Sequence, residues 1–213
     1  MKRLLSICAL LLVGACAWTP ESVVIQRQYV PVAAVPGSAE VAVNVVAADS
    51  RQEREISHKK NGYGMRAADI SAVNDVVTEV RAGVVEILHG MGFREGQDAA
   101  IRIELSRFYN TFDMGFWSAT ANAQAIANLQ VLAADGRSLY SRIYTSNYQL
   151  TGVQIMSAEN AGSALRTALH GLLRQIADDP HLPRALLQAR PEPTISGQEP
   201  AERSSRARSR VGA

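Results

Sequence analysis

From Ala119 to Val131 the chain alternates with a period of two: Ala119, Ala121, Ala123, Ala125, Ala127, Leu129 and Val131 fall on one side, Thr120, Asn122, Gln124, Asn128 and Gln130 on the other. Successive side chains of a strand point to opposite faces, so this is a long strand with one face against a core. The row of alanines leaves room for a helix to lie close. Asp135-Gly136 follows, a pair that tolerates positive φ and signals a hairpin, and it leads into a strand over about 138 to 149.

The same period recurs in Ile101, Ile103 and Leu105, and in Val41, Val43 and Val45, the latter predicting a strand over 40–47 closed by Asp49-Ser50-Arg51. The charged stretch from Gln52 to Gly64 reads as a loop, with room for a short strand around Ile56. Two segments switch to helical spacing. The first starts near Ser71 and carries Val73, Val76, Val77, Val80, Val84, Ile87, Leu88 and Met91; the second runs from Ala158 to Ala177 behind a Ser157 cap and ends at Asp178-Asp179-Pro180. Leu182 to Ala189 suits a short third helix. The order strand, helix, three antiparallel strands, helix predicts an α+β fold: a two-layer sandwich, mostly antiparallel sheet, with two helices packed on one face.

The first sixteen residues carry an address. Lys2 and Arg3 precede an apolar stretch from Leu4 to Val13, and Val13-Gly14-Ala15-Cys16 forms a lipobox. Ten apolar residues span only ~15 Å as a helix, too short for a ~30 Å hydrocarbon core, so the stretch reads as a signal peptide rather than a membrane span. An ordinary secretory cut after Ala17 is the alternative. On the lipobox reading the mature chain starts at Cys16, acylated, and two or more acyl chains hold it on a bilayer. Ala17, rather than Asp, after the lipidated cysteine favours the outer membrane, lipid-anchored and facing the periplasm. The organisation expected is therefore 1–15 lipoprotein signal peptide, 16–39 lipidated N-terminus and tether, 40–189 α+β periplasmic domain, and 190–213 disordered tail.

Cleavage takes Lys2 and Arg3 out of the 22 basic residues, leaving as many basic as acidic side chains, of which there are 20. No basic surplus remains to suggest a nucleic-acid partner. Cys8 leaves with the signal and Cys16 is used by lipid, which excludes an internal disulfide or a cysteine-ligated metal.

The layout resembles the YajG family of bacterial envelope lipoproteins. The features that match are the lipobox at Cys16, Asp49-Ser50-Arg51 after the first strand, Gly92-Phe93 at the end of the first helix, the strand from Ile101 to Tyr109, the strand from Tyr140 to Tyr148 followed by Gly152-Val153-Gln154, and Asn160-Ala161 with Ala164-Leu165 in the last helix. The resemblance covers residues 40–189 and implies an envelope lipoprotein. It supplies no catalytic residue to transfer.

Candidate sites are few. His58, His89, His170 and His181 lack metal-ligand spacing, and no nucleophile elbow, Ser-x-x-Lys pair or phosphate loop occurs, so neither an enzyme nor a metal or other cofactor is expected. Phe108, Tyr109, Phe112, Phe116 and Trp117 crowd ten residues around Met114 and Gly115. Read as a hairpin connection, they either present a sticky surface to a partner, a glycan or the bilayer, or fold back to close the core. Tyr140, Tyr144 and Tyr148 share one strand face with Arg142; they either stack on sugars or support a protein interface, or else pack under a neighbour with hydroxyls outward. Asp49 and Arg51 either grip a polar ligand or cap a turn. The function expected is an outer-membrane-anchored periplasmic lipoprotein, a non-enzymatic accessory or binding module. Its partners would be the bilayer, through acylated Cys16, and an envelope protein or glycan. Peptidoglycan or other glycan binding is the alternative, and a cell-wall hydrolase the weaker one.

Overall fold

The computed structural model describes residues 19–190. The expected signal peptide, Cys16 and the expected tail beyond Arg190 lie outside the described residues. Eight strands form two sheets: β1 (Glu21–Val23), β2 (Ala42–Asp49), β3 (Ser57–Lys60), β4 (Arg66–Ala72), β5 (Arg94–Glu95), β6 (Ala99–Met114), β7 (Ala119–Ala133) and β8 (Ser138–Val153). Three helices accompany them: α1 (Val76–Met91), α2 (Ala158–Ala177) and α3 (His181–Leu187). The larger sheet has the order β5-β2-β6-β7-β8 and the smaller β1-β4-β3.

The α+β class holds, with differences from the expected sandwich. β2 pairs in parallel with both β5 and β6, and β1 in parallel with β4, so the sheets are mixed. α2 lies across β6, β7 and β8, α1 lies on β2 and against α2, and α3 closes the end of the layer on β7 and β8. The third helix earns its place by burying Leu182, Ala185 and Leu186. α1 starts at Val76 with the Asp75 side chain accepting from the Val77 N–H, not at Ser71, which belongs to β4. Asp75 wins because a carboxylate at the N-cap satisfies a free N–H and suits the positive end of the helix dipole.

β6 departs most from the expectation. It runs the full way to Met114, through the aromatic segment expected to be a connection. A β-bulge at Ser106 lets it do so: Leu105 pairs with Ala127 and Arg107 with Ile126, leaving Ser106 unpaired. One extra residue exchanges the two faces. Ile101, Ile103 and Leu105 point inward before it; Phe108, Asn110 and Phe112 point inward after it. The alternation was present throughout, but its parity changes in mid-strand.

The tether expected over 16–39 is, from Glu21 onward, part of the domain. Val23, Ile25 and Val30 are buried. Asn74 brackets the Ile25 backbone, its Oδ1 accepting from the N–H at 2.9 Å and its Nδ2 donating to the carbonyl at 2.7 Å. Arg27 pairs with Glu79 at 3.2 Å and with Glu86 at 3.3 Å on the face of α1. Prolines and an extended backbone do not imply freedom when side chains from α1 satisfy that backbone.

Deleting Ser106 should remove the bulge and leave the register Leu105–Ala127, Arg107–Ile126 and Phe108–Ala125 continuous, so Phe108 and Phe112 stay on the inner face. In urea unfolding the deletion should cost less than Phe112→Ala, which removes a fully buried ring at ~3 kcal/mol or more, and Ser106→Ala should stay close to the native midpoint.

Candidate functional site

Three connections gather at one end of the molecule, here called the apex. The β6–β7 hairpin turns there, with the Gly115 N–H donating to the Ser118 carbonyl at 2.9 Å. Its tip carries Phe116 and Trp117, 90% and 86% exposed, packed edge to face with ring centroids 4.8 Å apart. A hollow beside it is shared by Met114, Trp117, Gln154 and Met156, which brings in the β8–α2 connection and its exposed Ile155. A second hollow joins Asp113 and Met114 to Lys60, Gly62 and Gly64 of the β3–β4 turn, where Tyr63 and Met65 are exposed. The polar groups at the base are bonded within the protein: Lys60 Nζ donates to the Phe112 carbonyl at 2.8 Å, and Asn122 Nδ2 to Asp113 at 2.8 Å.

The aromatic cluster of the sequence is thus split. Phe108 and Phe112 are fully buried, so Phe112 is withdrawn as a surface residue; Met114, Phe116 and Trp117 remain. Tyr63, Met65 and Ile155 escaped sequence reading, because nothing local says that three turns distant in the chain meet. An aromatic flanked by Gly62 and Gly64 was the available signal.

At the opposite end, Tyr140, Arg142 and Tyr144 converge on one carboxylate. Asp179 Oδ2 accepts from the Tyr140 hydroxyl at 2.5 Å, the Tyr144 hydroxyl at 2.6 Å and Arg142 Nη1 at 3.0 Å, and Oδ1 accepts from the His181 N–H at 2.9 Å. The Asp179 side chain is wholly buried. Burial pushes its pKa up, but the hydrogen bonds from Tyr140, Tyr144, His181 and Arg142 outweigh that and hold it at about 2. Burial, reinforced by the neighbouring carboxylate, pushes the Tyr144 phenol far above its usual range. These residues face inward, register with the inner side of β7, and leave no ring of Tyr144 for a sugar. Of the two readings from sequence, packing under a neighbour holds for Tyr140 and Tyr144, with their hydroxyls turned inward to Asp179 rather than outward. Tyr148 is half-buried against the core on the same face. Asp179, read from sequence only as a helix breaker, organises the group.

Asp49 and Arg51 grip each other. Nε and Nη2 of Arg51 donate to the two carboxylate oxygens at 2.9 Å each, and Arg54 adds a bond at 2.6 Å. The Arg51 bonds, against the penalty of burial, hold the Asp49 carboxyl at about 2. His58 Nδ1 lies 2.6 Å from the Tyr109 hydroxyl. Burial, with Lys60 and Arg66 near, lowers the His58 pKa, and the contact ties β3 to β6. Among the described residues, no group of three or more His, Cys, Asp or Glu is placed to hold a metal ion, and no helix is long and apolar enough to cross a membrane.

The outer face of the larger sheet is uncovered. β7 and β8 turn Thr120, Asn122, Gln124, Asn128, Asn147 and Gln149 away from the helices, and Gln124 Nε2 donates to Asn147 Oδ1 across the strands at 2.9 Å. β8 is an edge strand over its whole length.

A sequence family described as uncharacterized lipoprotein matches residues 29–187. Among solved structures, one from Xanthomonas campestris shares 13% identity, covers 76% of this chain and 96% of its own, and superposes with a TM-score of 0.55. A minor lipoprotein from Acinetobacter baumannii shares 10% identity over 62% of this chain and 94% of its own, with a TM-score of 0.39. At such identity the first likeness shows a common fold, and the second overlaps too loosely to carry an argument. No curated protein matches the sequence.

Asp179 and Asp49 both titrate below the ordinary aspartate value of 3.8 in the folded chain. A depressed folded pKa stabilises above the unfolded value, and that stabilisation is lost as pH falls through the folded one, here between about pH 4 and about pH 2, at about 2 kcal/mol for Asp179. Asp179→Asn should therefore lose ~1–3 kcal/mol at neutral pH in urea unfolding and flatten the acid limb of the stability curve relative to the native chain.

Proposed function

The chain belongs to the YajG-type family of uncharacterized lipoproteins, and from that premise we propose that it is an accessory module of the cell envelope, anchored by acylated Cys16 to the periplasmic face of the outer membrane, which works by binding rather than by catalysis. The observation that carries the binding reading is the open face of the larger sheet. β7 and β8 each turn a row made mostly of amides and hydroxyls outward, with Ile126 and Ile143 among them, and Gln124 and Asn147 hold each other in place across the two strands. This β7–β8 part of the face carries no charged side chain, while Arg102, Glu104, Arg107 and Asp113 lie beside it on β6, and it suits the polar surface of another envelope protein. The outer edge of β8, where Gln175 Nε2 already donates to the Thr145 carbonyl at 2.9 Å, adds further backbone N–H and C=O groups beside it, the geometry by which a partner strand is added to a sheet.

Glycan binding is the second reading, carried by those same amides. Tyr140 and Tyr144 no longer support it, because their hydroxyls are bonded to Asp179 and sugars need an exposed ring face. Sedimentation with purified sacculi separates the two: retention abolished by Gln124→Ala with Asn147→Ala favours the glycan.

A photo-crosslinking residue at Asn128 or Asn147 should yield one discrete protein adduct in intact cells, and one at Thr78 on the exposed side of α1 none. Smears of equal strength from both would end the proposal. Cys16→Ser should abolish acylation and move the chain from the membrane to the soluble periplasmic fraction; unchanged fractionation would remove the anchor.

A further inference from the structure

The chain enters the domain at the apex. β1 runs parallel to β4, which descends from the β3–β4 turn, so Thr19 and Pro20 lie on the turn side of Glu21. Glu21 Oε2 accepts from the Ala158 N–H at 2.7 Å, at the start of α2 and directly after the β8–α2 connection, and its other oxygen pairs with Lys59. Both partners belong to the two elements whose connections build the apex. Four residues lie between Cys16 and Glu21, five Cα steps with a reach of at most ~17 Å when fully extended.

We propose that the apex is a membrane-contacting surface, with Tyr63, Met65, Met114, Phe116, Trp117 and Ile155 seated in the headgroup region of the leaflet that holds the Cys16 acyl chains. The inference rests on the anchor reading above and adds orientation to it. A chain segment this short leaves no room for a folded partner between the apex and the bilayer. The chemistry of the tip agrees: aromatic rings with methionine and isoleucine favour the interface, while the charged and amide groups at its base already have partners within the protein. The opposite end, with the Asp135-Gly136 turn and Arg190, then lies about 50 Å from the lipid, the length of the sixteen-residue strand β6. The open sheet face stands roughly perpendicular to the membrane and remains free.

The chain has two tryptophans, Trp18 and Trp117. The test uses acylated full-length protein purified from membranes as Trp18→Phe, so that Trp117 reports alone, in phosphatidylethanolamine and phosphatidylglycerol vesicles with and without brominated acyl chains. A control carries Trp18→Phe, Trp117→Phe and Arg137→Trp. The proposal expects Trp117 emission to shift to the blue on reconstitution and to lose most of its intensity to the bromolipid, while the tryptophan at 137 keeps its aqueous spectrum. If the protein is acylated and floats with the vesicles but Trp117 matches the control, the membrane-facing apex is overturned and the anchor stands. Trp117 that is dark to bromolipid yet shifted only in crude membranes makes the apex a protein contact and overturns it too. Absence of an acyl chain on Cys16 overturns anchor and orientation together.

Discussion

A helix lies as near to a sheet as the side chains between them allow, and here that gap is set by Ala121, Ala123, Ala125 and Ala127 on β7, all buried beneath α2. Gly171 continues the same logic on the helix side, where a Cβ would stand 2.4 Å from Ser146 Oγ. Close approach of α2 determines the positions of its neighbours. α1 docks beside it with Gly83 against the Leu173 side chain, and β1 reaches the start of α2 through Glu21. A larger residue at any of the four alanines forces the helix outward, at about 1–3 kcal/mol for overpacking, and displaces the N-terminal segment with it.

The two polar and aromatic groupings of the molecule follow from where that layer ends. α2 runs from the apex to the far end, where its last turn delivers Asp179 beneath Tyr140 and Tyr144. A carboxylate with four donors is a structural lock: it fixes α3 on β8 and keeps the Tyr144 phenol protonated. At the apex nothing plays that part. The hairpin outruns the helix, and its last aromatics have no layer to cover them. The same hairpin therefore supplies core residues at Phe108 and Phe112 on β6 and surface residues at Phe116 and Trp117 in its turn.

Strands and helices with unbroken periodicity were legible from the chain itself. β7, the Ser157 cap and the α2 stripe stand where the pattern puts them. The losses have physical causes. A single-residue bulge at Ser106 reverses parity, so a local reading of inward and outward residues fails beyond it. Parallel pairing of β2 with β6 joins segments more than fifty residues apart and leaves no local trace. The segment from Glu21 to Val35 reads as a tether, despite strand composition over Val23 to Val30, because its hydrogen bonds go to β4, Asn74, Glu79 and Met91, partners that only tertiary structure supplies. The apex failed for a similar reason: Tyr63, Trp117 and Ile155 come from three separate turns. Tyr140, Arg142 and Tyr144 were rightly placed together on one face, but which side that face looked toward depended on Asp179.

If Cys16 carries the proposed anchor, the docking of residues 21–35 onto β4, Asn74 and α1 has a kinetic consequence. Where a long flexible leash would let the domain sample a hemisphere, a leash of a few residues would turn it into a planar diffuser with its height and tilt restricted. Encounters with other surface-bound molecules then become two-dimensional searches, and the effective concentration of a partner depends on area rather than volume. Weak contacts suffice under those conditions, because the orientational entropy of docking has been surrendered in advance by the way Asn74 holds Ile25.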